Sequence, residues 1–127
     1  MIVVVATTPV APESVEGFRA LAGEQVLASR QEDGCVHYSC SESAVEPGVF
    51  HWIELWRDLD AFNAHAEAPH HLEYLRILRD GARVRRAGPA SAHYFDADPL
   101  DVASLVERGF SPLAVPNTVP DAGASRG

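Results

Sequence analysis

The chain contains no lysine, for all ten of its basic residues are arginine. That removes Schiff-base catalysis and every other reaction that needs an ε-amino group. Positive charge is scarce altogether: ten basic residues stand against eighteen acidic ones, a formal net charge of -8. A surface that neutralises phosphates is therefore not expected, and an anionic membrane would repel the chain, so neither nucleic acid nor membrane is an expected partner. Long apolar runs are missing too. The longest, Ile2 to Ala6, is far too short to span a bilayer and has no basic lead-in of the signal-peptide kind, so a cytoplasmic location is expected. Cysteine is limited to Cys35 and Cys40. An odd separation along one strand places them on opposite faces, out of reach of each other, and their spacing is not that of a thiolate zinc pair. They read as two small hydrophobes in a sheet.

What is present suits one small globular domain: 127 residues, 46% hydrophobic and 22% charged. Ile2 to Thr8 is largely β-branched and stops at Pro9, which predicts a strand. Glu13 to Glu32 lacks proline, opens with acids and carries Val15, Phe18, Ala22 and Val26 at helical spacing, which predicts a helix ended by Asp33-Gly34. Gly23 inside it reads either as a close approach or as a tolerated surface glycine. Cys35 to Ser41 alternates as a strand does. Val49 to Trp56 predicts a third strand, with Phe50, Trp52, Glu54 and Trp56 on one face and Val49, His51, Ile53 and Leu55 on the other. Asp58 to Glu67 and His70 to Arg83 read as a helix interrupted near Pro69, with Leu72, Leu75 and Leu78 as the second half's apolar stripe. Ser91 to Asp96 is a short fourth strand.

The order β-α-β-β-α-β is that of an α+β, ferredoxin-like sheet with two helices on one face. Neither face of the third strand is fully polar, so the face bearing Ile53 and Leu55 needs a second layer, and a homodimer is expected through it. The domain is expected to occupy residues 1–96. A C-terminal extension, 97–127, begins with Asp98-Pro99 as a helix start, predicts a short helix over about 98–109, and turns extended or disordered from Ser111.

Four short motifs occur in order on this frame: Gly34-Cys35-Val36-His37-Tyr38, Glu54-Leu55-Trp56, Ala61-Phe62-Asn63-Ala64-His65 and Pro69-His70. Together they resemble the antibiotic biosynthesis monooxygenase superfamily, in particular its quinol-monooxygenase-like branch, over roughly residues 2 to 96. The resemblance implies a dimeric α+β barrel with a cavity between each sheet and its own helices. It also implies an oxygenase that uses O2 as co-substrate on a phenolic, quinol or polyketide ring and needs neither metal nor flavin. Relatives degrade heme, isomerise small phosphorylated sugars or have no known reaction. Where several polyketide-oxidising members carry an asparagine on strand three, four residues before the tryptophan, this chain has Trp52.

On that reading, His65 and Glu54 form a base pair: the carboxylate orients the imidazole and raises its basicity. Trp56 joins them as a catalytic residue, and Trp52 with Trp56 supplies flat walls for an aromatic ring. Phe50, Tyr38, His70 and Arg83 complete the residues expected to meet the substrate. Each has a plainer reading. Glu54 beside His65 can be a satisfied polar contact, and two tryptophans on one face can be core. Arg76, Arg79 and Arg83 can be a solvated helix face rather than a rim that draws in an anionic substrate. His65, His70 and His71 could offer a metal or an axial heme ligand, but adjacent histidines diverge by about 100° on a helix. Two further functions need the same pocket: a non-catalytic module holding a small hydrophobic ligand, and a heme-binding or heme-degrading protein.

Overall fold

A computed structural model describes residues 1–101, 103 and 107–109. It divides into two units, Met1–Ala97 and Asp98–Gly127. Part of the helix expected over 98–109, and the whole of the tail from Ser111, lies outside the described residues. In the first unit the elements are β1 (Ile2–Pro9), a 3-10 turn (Pro12–Ser14), α1 (Val15–Arg30), β2 (Cys35–Glu42), β3 (Val49–Trp56), α2 (Leu59–Glu67), α3 (Pro69–Asp80) and β4 (Ser91–Asp96). The sheet order is β2-β3-β1-β4 and every neighbouring pair is antiparallel, so the fold is ferredoxin-like α+β.

Register decides which side chains meet under the helices. Residues directly opposite in an antiparallel pair share a face. Phe50, Trp52, Glu54 and Trp56 of β3 lie opposite Thr8, Ala6, Val4 and Ile2 of β1, and opposite Glu42, Cys40, Tyr38 and Cys35 of β2. A bulge between Cys35 and His37 inserts one residue into β2. It corrects the expectation for the cysteines: the extra residue returns Cys35 to the face of Tyr38 and Cys40, and both thiols pack against the core as free cysteines.

The helices differ from expectation in phase and in length. On α1 the buried residues are Phe18, Leu21, Ala22, Gln25 and Ser29, while Val15 and Val26 only flank the core. The stripe thus runs into two polar residues, which have partners in the site. A Cβ at Gly23 would meet nothing within 4 Å, which leaves the surface reading for that glycine. On α3 the buried residues are Tyr74, Ile77 and Leu78, whereas Leu72 is exposed and Leu75 borders a cavity. Tyr74 takes the central place because its ring reaches Trp52, with centroids 5.5 Å apart. This helix ends at Asp80, three residues short of Arg83, because Gly81 adopts φ 75° and returns its N–H to the Ile77 carbonyl.

A second glycine shapes the site. Gly34 has φ 85°, and a Cβ there would stand 2.5 Å from that of Ala61. Only glycine lets the turn after α1 lie this close against α2. No described helix is long and apolar enough to cross a membrane.

Candidate active site

Asp58 caps α2 by accepting the Ala61 N–H at 2.9 Å, and Pro69 opens α3 after an extended Ala68. Between these signals α2 delivers His65 to the sheet at 1% exposure. Its ring stacks on Trp56, centroids 4.5 Å apart and planes 28° apart, and lies 5.4 Å from the Tyr38 ring. The sequence pairs His65 with Glu54, but its hydrogen bond goes elsewhere. Nδ1 lies 2.6 Å from Oε2 of Glu32, while Nε2 lies 3.7 Å from Oε1 of Glu54 and has no hydrogen-bond partner.

Burial sets the charge of this group. Desolvation, and then the neighbouring His70, push His65 down to about 4, so its imidazole is neutral at pH 7. A neutral ring whose Nδ1–H donates to Glu32 presents a bare Nε2 lone pair on its other side. Burial also raises the Glu32 carboxyl, with His70 pulling it partly back. Glu54 is raised chiefly by burial, against the Trp56 indole N–H donated to its Oε1 at 2.9 Å.

His65 lines a cavity of about 340 Å³ between the sheet and α2/α3. Tyr38, Trp52, Tyr74 and Phe62 give it aromatic walls, Leu75 and Leu78 aliphatic ones, and Glu54, His65 and His71 its ionisable groups. Several fixed hydrogen bonds hold these walls. Gln25 donates from Nε2 to the Tyr38 hydroxyl at 3.2 Å and to Nδ1 of His71 at 3.0 Å, and the Trp52 indole donates to Thr8 at 3.2 Å. Burial lowers His71 to about 4 and raises the hydroxyls of Tyr38 and Tyr74. It pushes the Cys40 thiol up to about 12.

The structure thus brings His65, Glu54, Trp52 and Tyr38 together around one cavity. Four other residues named from sequence stand elsewhere. Trp56 is fully buried behind His65 and Glu54 and does not border the cavity, because the ring of His65 covers it. Phe50 packs on Phe18, centroids 4.6 Å apart, deeper in the core. His70 turns away to Ser29, Nε2 to Oγ 3.2 Å, and to Glu32 at 3.3 Å. Arg83 lies past the end of α3 and pairs with Glu24 at 3.6 Å, so it shares no helix face with Arg76 and Arg79. Arg76 and Arg85 likewise pair with Glu73 and Glu13. Of the five arginines between positions 76 and 86, three are thus satisfied by surface carboxylates.

Sequence reasoning missed Glu32, Gln25 and Ser29, and it named His71 only as a possible metal or heme ligand, not as a cavity wall residue held by Gln25. For Gln25 and Ser29 a signal existed: they continue the Phe18, Leu21, Ala22 stripe at helical spacing, and polar residues on an apolar face need polar partners. Glu32 carries no such signal. It lies beyond the end of α1, in the turn that packs against α2 at Gly34. Among the described residues, Glu32, His65 and His70 are also the group whose donor atoms could hold a metal ion.

Known proteins share this frame. A Deinococcus radiodurans protein named for antibiotic biosynthesis monooxygenases superposes with a TM-score of 0.71 at 27% identity, over 80% of this chain and 96% of its own. Rv0793 of Mycobacterium tuberculosis superposes at 0.68 and 28% identity, over 79% and 95%. An uncharacterised Synechocystis protein, sll1783, is 35% identical over 79 residues, which are 62% of this chain but only 54% of that protein. The family model for antibiotic biosynthesis monooxygenases matches residues 1–76, from β1 through most of α3. The chain belongs to the antibiotic biosynthesis monooxygenase family.

Proposed function

We propose that the protein is a cofactor-independent monooxygenase that oxidises a phenolic or hydroquinone-type aromatic ring with O2. One observation carries this reading: a buried, neutral His65 lines an aromatic-walled cavity with its Nε2 unpartnered, while Glu32 holds its other nitrogen. A phenol seated between Trp52, Tyr38 and Tyr74 would give its O–H proton to Nε2. Glu32, 2.6 Å from Nδ1, would then face the imidazolium it stabilises. The phenolate passes one electron to O2, and the aryloxyl and superoxide radicals combine to form a C–O bond at a ring carbon bearing hydrogen. Cleavage of that C–H bond and of the O–O bond releases water and leaves the quinone carbonyl. Trp56 acts as a positioning residue, holding His65 by stacking and Glu54 by its indole N–H.

The same reading assigns the exposed apolar face of the sheet to a second copy of the chain. Val5, Ile53 and Phe95 on that face are 40%, 46% and 54% exposed, a neighbourhood that monomers seldom leave in water. The chemistry is tested by oxygen uptake with metal-free protein over a panel of anthrones, naphthols and hydroquinones in the presence of a chelator. His65→Ala is expected to lower turnover by roughly 10² to 10⁴ without loss of fold. Full activity in that variant, or activity lost to the chelator, would reject the mechanism.

A further inference from the structure

Behind His65, on the side away from the cavity, three donors from three different segments converge. Glu32 comes from the turn after α1, His65 from the last turn of α2 and His70 from the first turn of α3. On an unbroken helix, residues five apart would point about 140° away from each other. The extended backbone at Ala68 (ψ 138°) breaks the helix and sets the two imidazole centroids 5.8 Å apart. One donor atom from each of the three residues lies within 4.8 Å of the others.

We propose that Glu32, His65 and His70 form a binding site for a divalent ion of the zinc class. Two imidazoles and one carboxylate suit zinc and its neighbours rather than magnesium or calcium, which take all-oxygen ligands. Metal–ligand bonds of about 2.0 to 2.2 Å in a tetrahedron place ligand atoms roughly 3.4 Å apart. Glu32 Oε2 and His70 Nε2, at 3.3 Å, already have that separation. The 2.6 Å contact between Glu32 and Nδ1 of His65 has to open by less than an ångström. Glu32 and His70 can supply the movement, because their side chains are 18% and 26% exposed while that of His65 is fixed at 2%. Three protein ligands leave a fourth position for water.

The consequence for the cavity follows from one proton. With Nδ1 on the metal, the neutral ring keeps its single proton on Nε2, and no proton leaves the ring. Nε2, the unpartnered nitrogen of this cavity-lining residue, then changes from acceptor to donor. Zinc at this site would silence His65 as a base from behind, without entering the cavity. The binding claim rests on geometry alone, and only this last step rests on the oxygenase reading.

Isothermal titration of the full chain with zinc chloride tests the site. One ion per chain is expected, weakened at least tenfold in His70→Ala and in Glu32→Gln and unchanged in His93→Ala, whose histidine is exposed on β4. No binding, or binding indifferent to His70→Ala, would overturn the proposal. That variant alters a part-exposed side chain and is expected to fold, which circular dichroism checks. Long-range 15N–1H spectra should show the His65 proton pass from Nδ1 to Nε2 as zinc is added, and a proton that stays on Nδ1 also defeats the proposal. An apo protein that oxidises no phenol would sink the oxygenase reading while leaving the titration and the spectra as tests of the site.

Discussion

On one face of β3, Phe50, Trp52, Glu54 and Trp56 are all buried, whereas on the other His51 and Ile53 are exposed and Leu55 is half-covered. The strand is the same, and both faces carry apolar side chains beside one polar one. The cover differs: three helices lie over the first face, and the second faces away from them. A helix-covered face turns polar groups into a site, because each buried donor or acceptor must find a partner, and among the described residues Nε2 of His65 is the buried side-chain atom left without one. Polar groups on the open face are answered by water and carry no such demand. His51 touches Thr7 at 3.2 Å there and nothing is built on the contact.

The largest expected contrast between the faces is in stability. Trp56→Ala empties a fully buried site and removes the donor to Glu54, and should cost about 3–5 kcal/mol. Ile53→Ala, at 46% exposure, should cost the folded protomer under about 1 kcal/mol. Urea unfolding at low protein concentration checks both, and similar losses at the two positions would erase the distinction.

Much of this contrast is legible in the sequence. Period two from Val49 to Trp56 assigns both faces correctly, and the β-α-β-β-α-β order places helices over one of them. The Glu54 side of the site is legible for that reason. The Glu32 side is not. It depends on Gly34 at φ 85°, on the Ala68 break and on the bulge after Cys35, and each of these resets direction within one residue. Periodicity carries no information across such points, so the sequence pairs His65 with Glu54 of β3 rather than with a residue beyond a turn. The rotated stripes of α1 and α3 share a cause: aromatic and polar partners across the interface, such as Trp52 for Tyr74 and His71 for Gln25, outweigh the placement of aliphatic residues alone.

A second test asks what covers the open face. If a second copy does, Ile53→Arg should convert a dimer to a monomer in analytical ultracentrifugation while each protomer keeps its unfolding curve. A wild-type monomer at micromolar concentration would defeat that assignment.

Acid offers a third test, confined to the covered face. His65 and His71 titrate near 4 in the folded protein against an ordinary 6.5. Between these values the unfolded chain binds protons that the folded chain does not, so stability rises with pH across the window. It is fully present above about 6.5 and is lost as pH falls toward 4. Urea midpoints at pH 7, 5.5 and 4.5 should fall in that order, and His71→Asn should flatten the decline. The buried carboxyls of Glu32 and Glu54, raised in the folded protein, pull the other way, so a pH dependence left unchanged by His71→Asn is the result that would contradict a buried neutral imidazole.

The smallest effect compares two single hydrogen bonds on opposite faces of the same strand. Trp52 donates its indole N–H to Thr8 at 3.2 Å, and Thr8 is 3% exposed. His51, one residue earlier, meets Thr7 at the same distance on the exposed face. Trp52→Phe keeps an aromatic ring in the cavity wall but leaves the buried Thr8 hydroxyl one donor short, so about 1–2 kcal/mol should be lost. His51→Ala exchanges its contact for water and should change stability by less than about 0.5 kcal/mol. Because Trp52 borders the cavity, its variant should also weaken substrate binding, raising KM more than it lowers kcat. Equal stability losses at positions 51 and 52 would mean that the outer face is dry as well, which a tightly associated second copy would produce. Repeating both measurements in the Ile53→Arg background separates that outcome from a failure of the argument about burial.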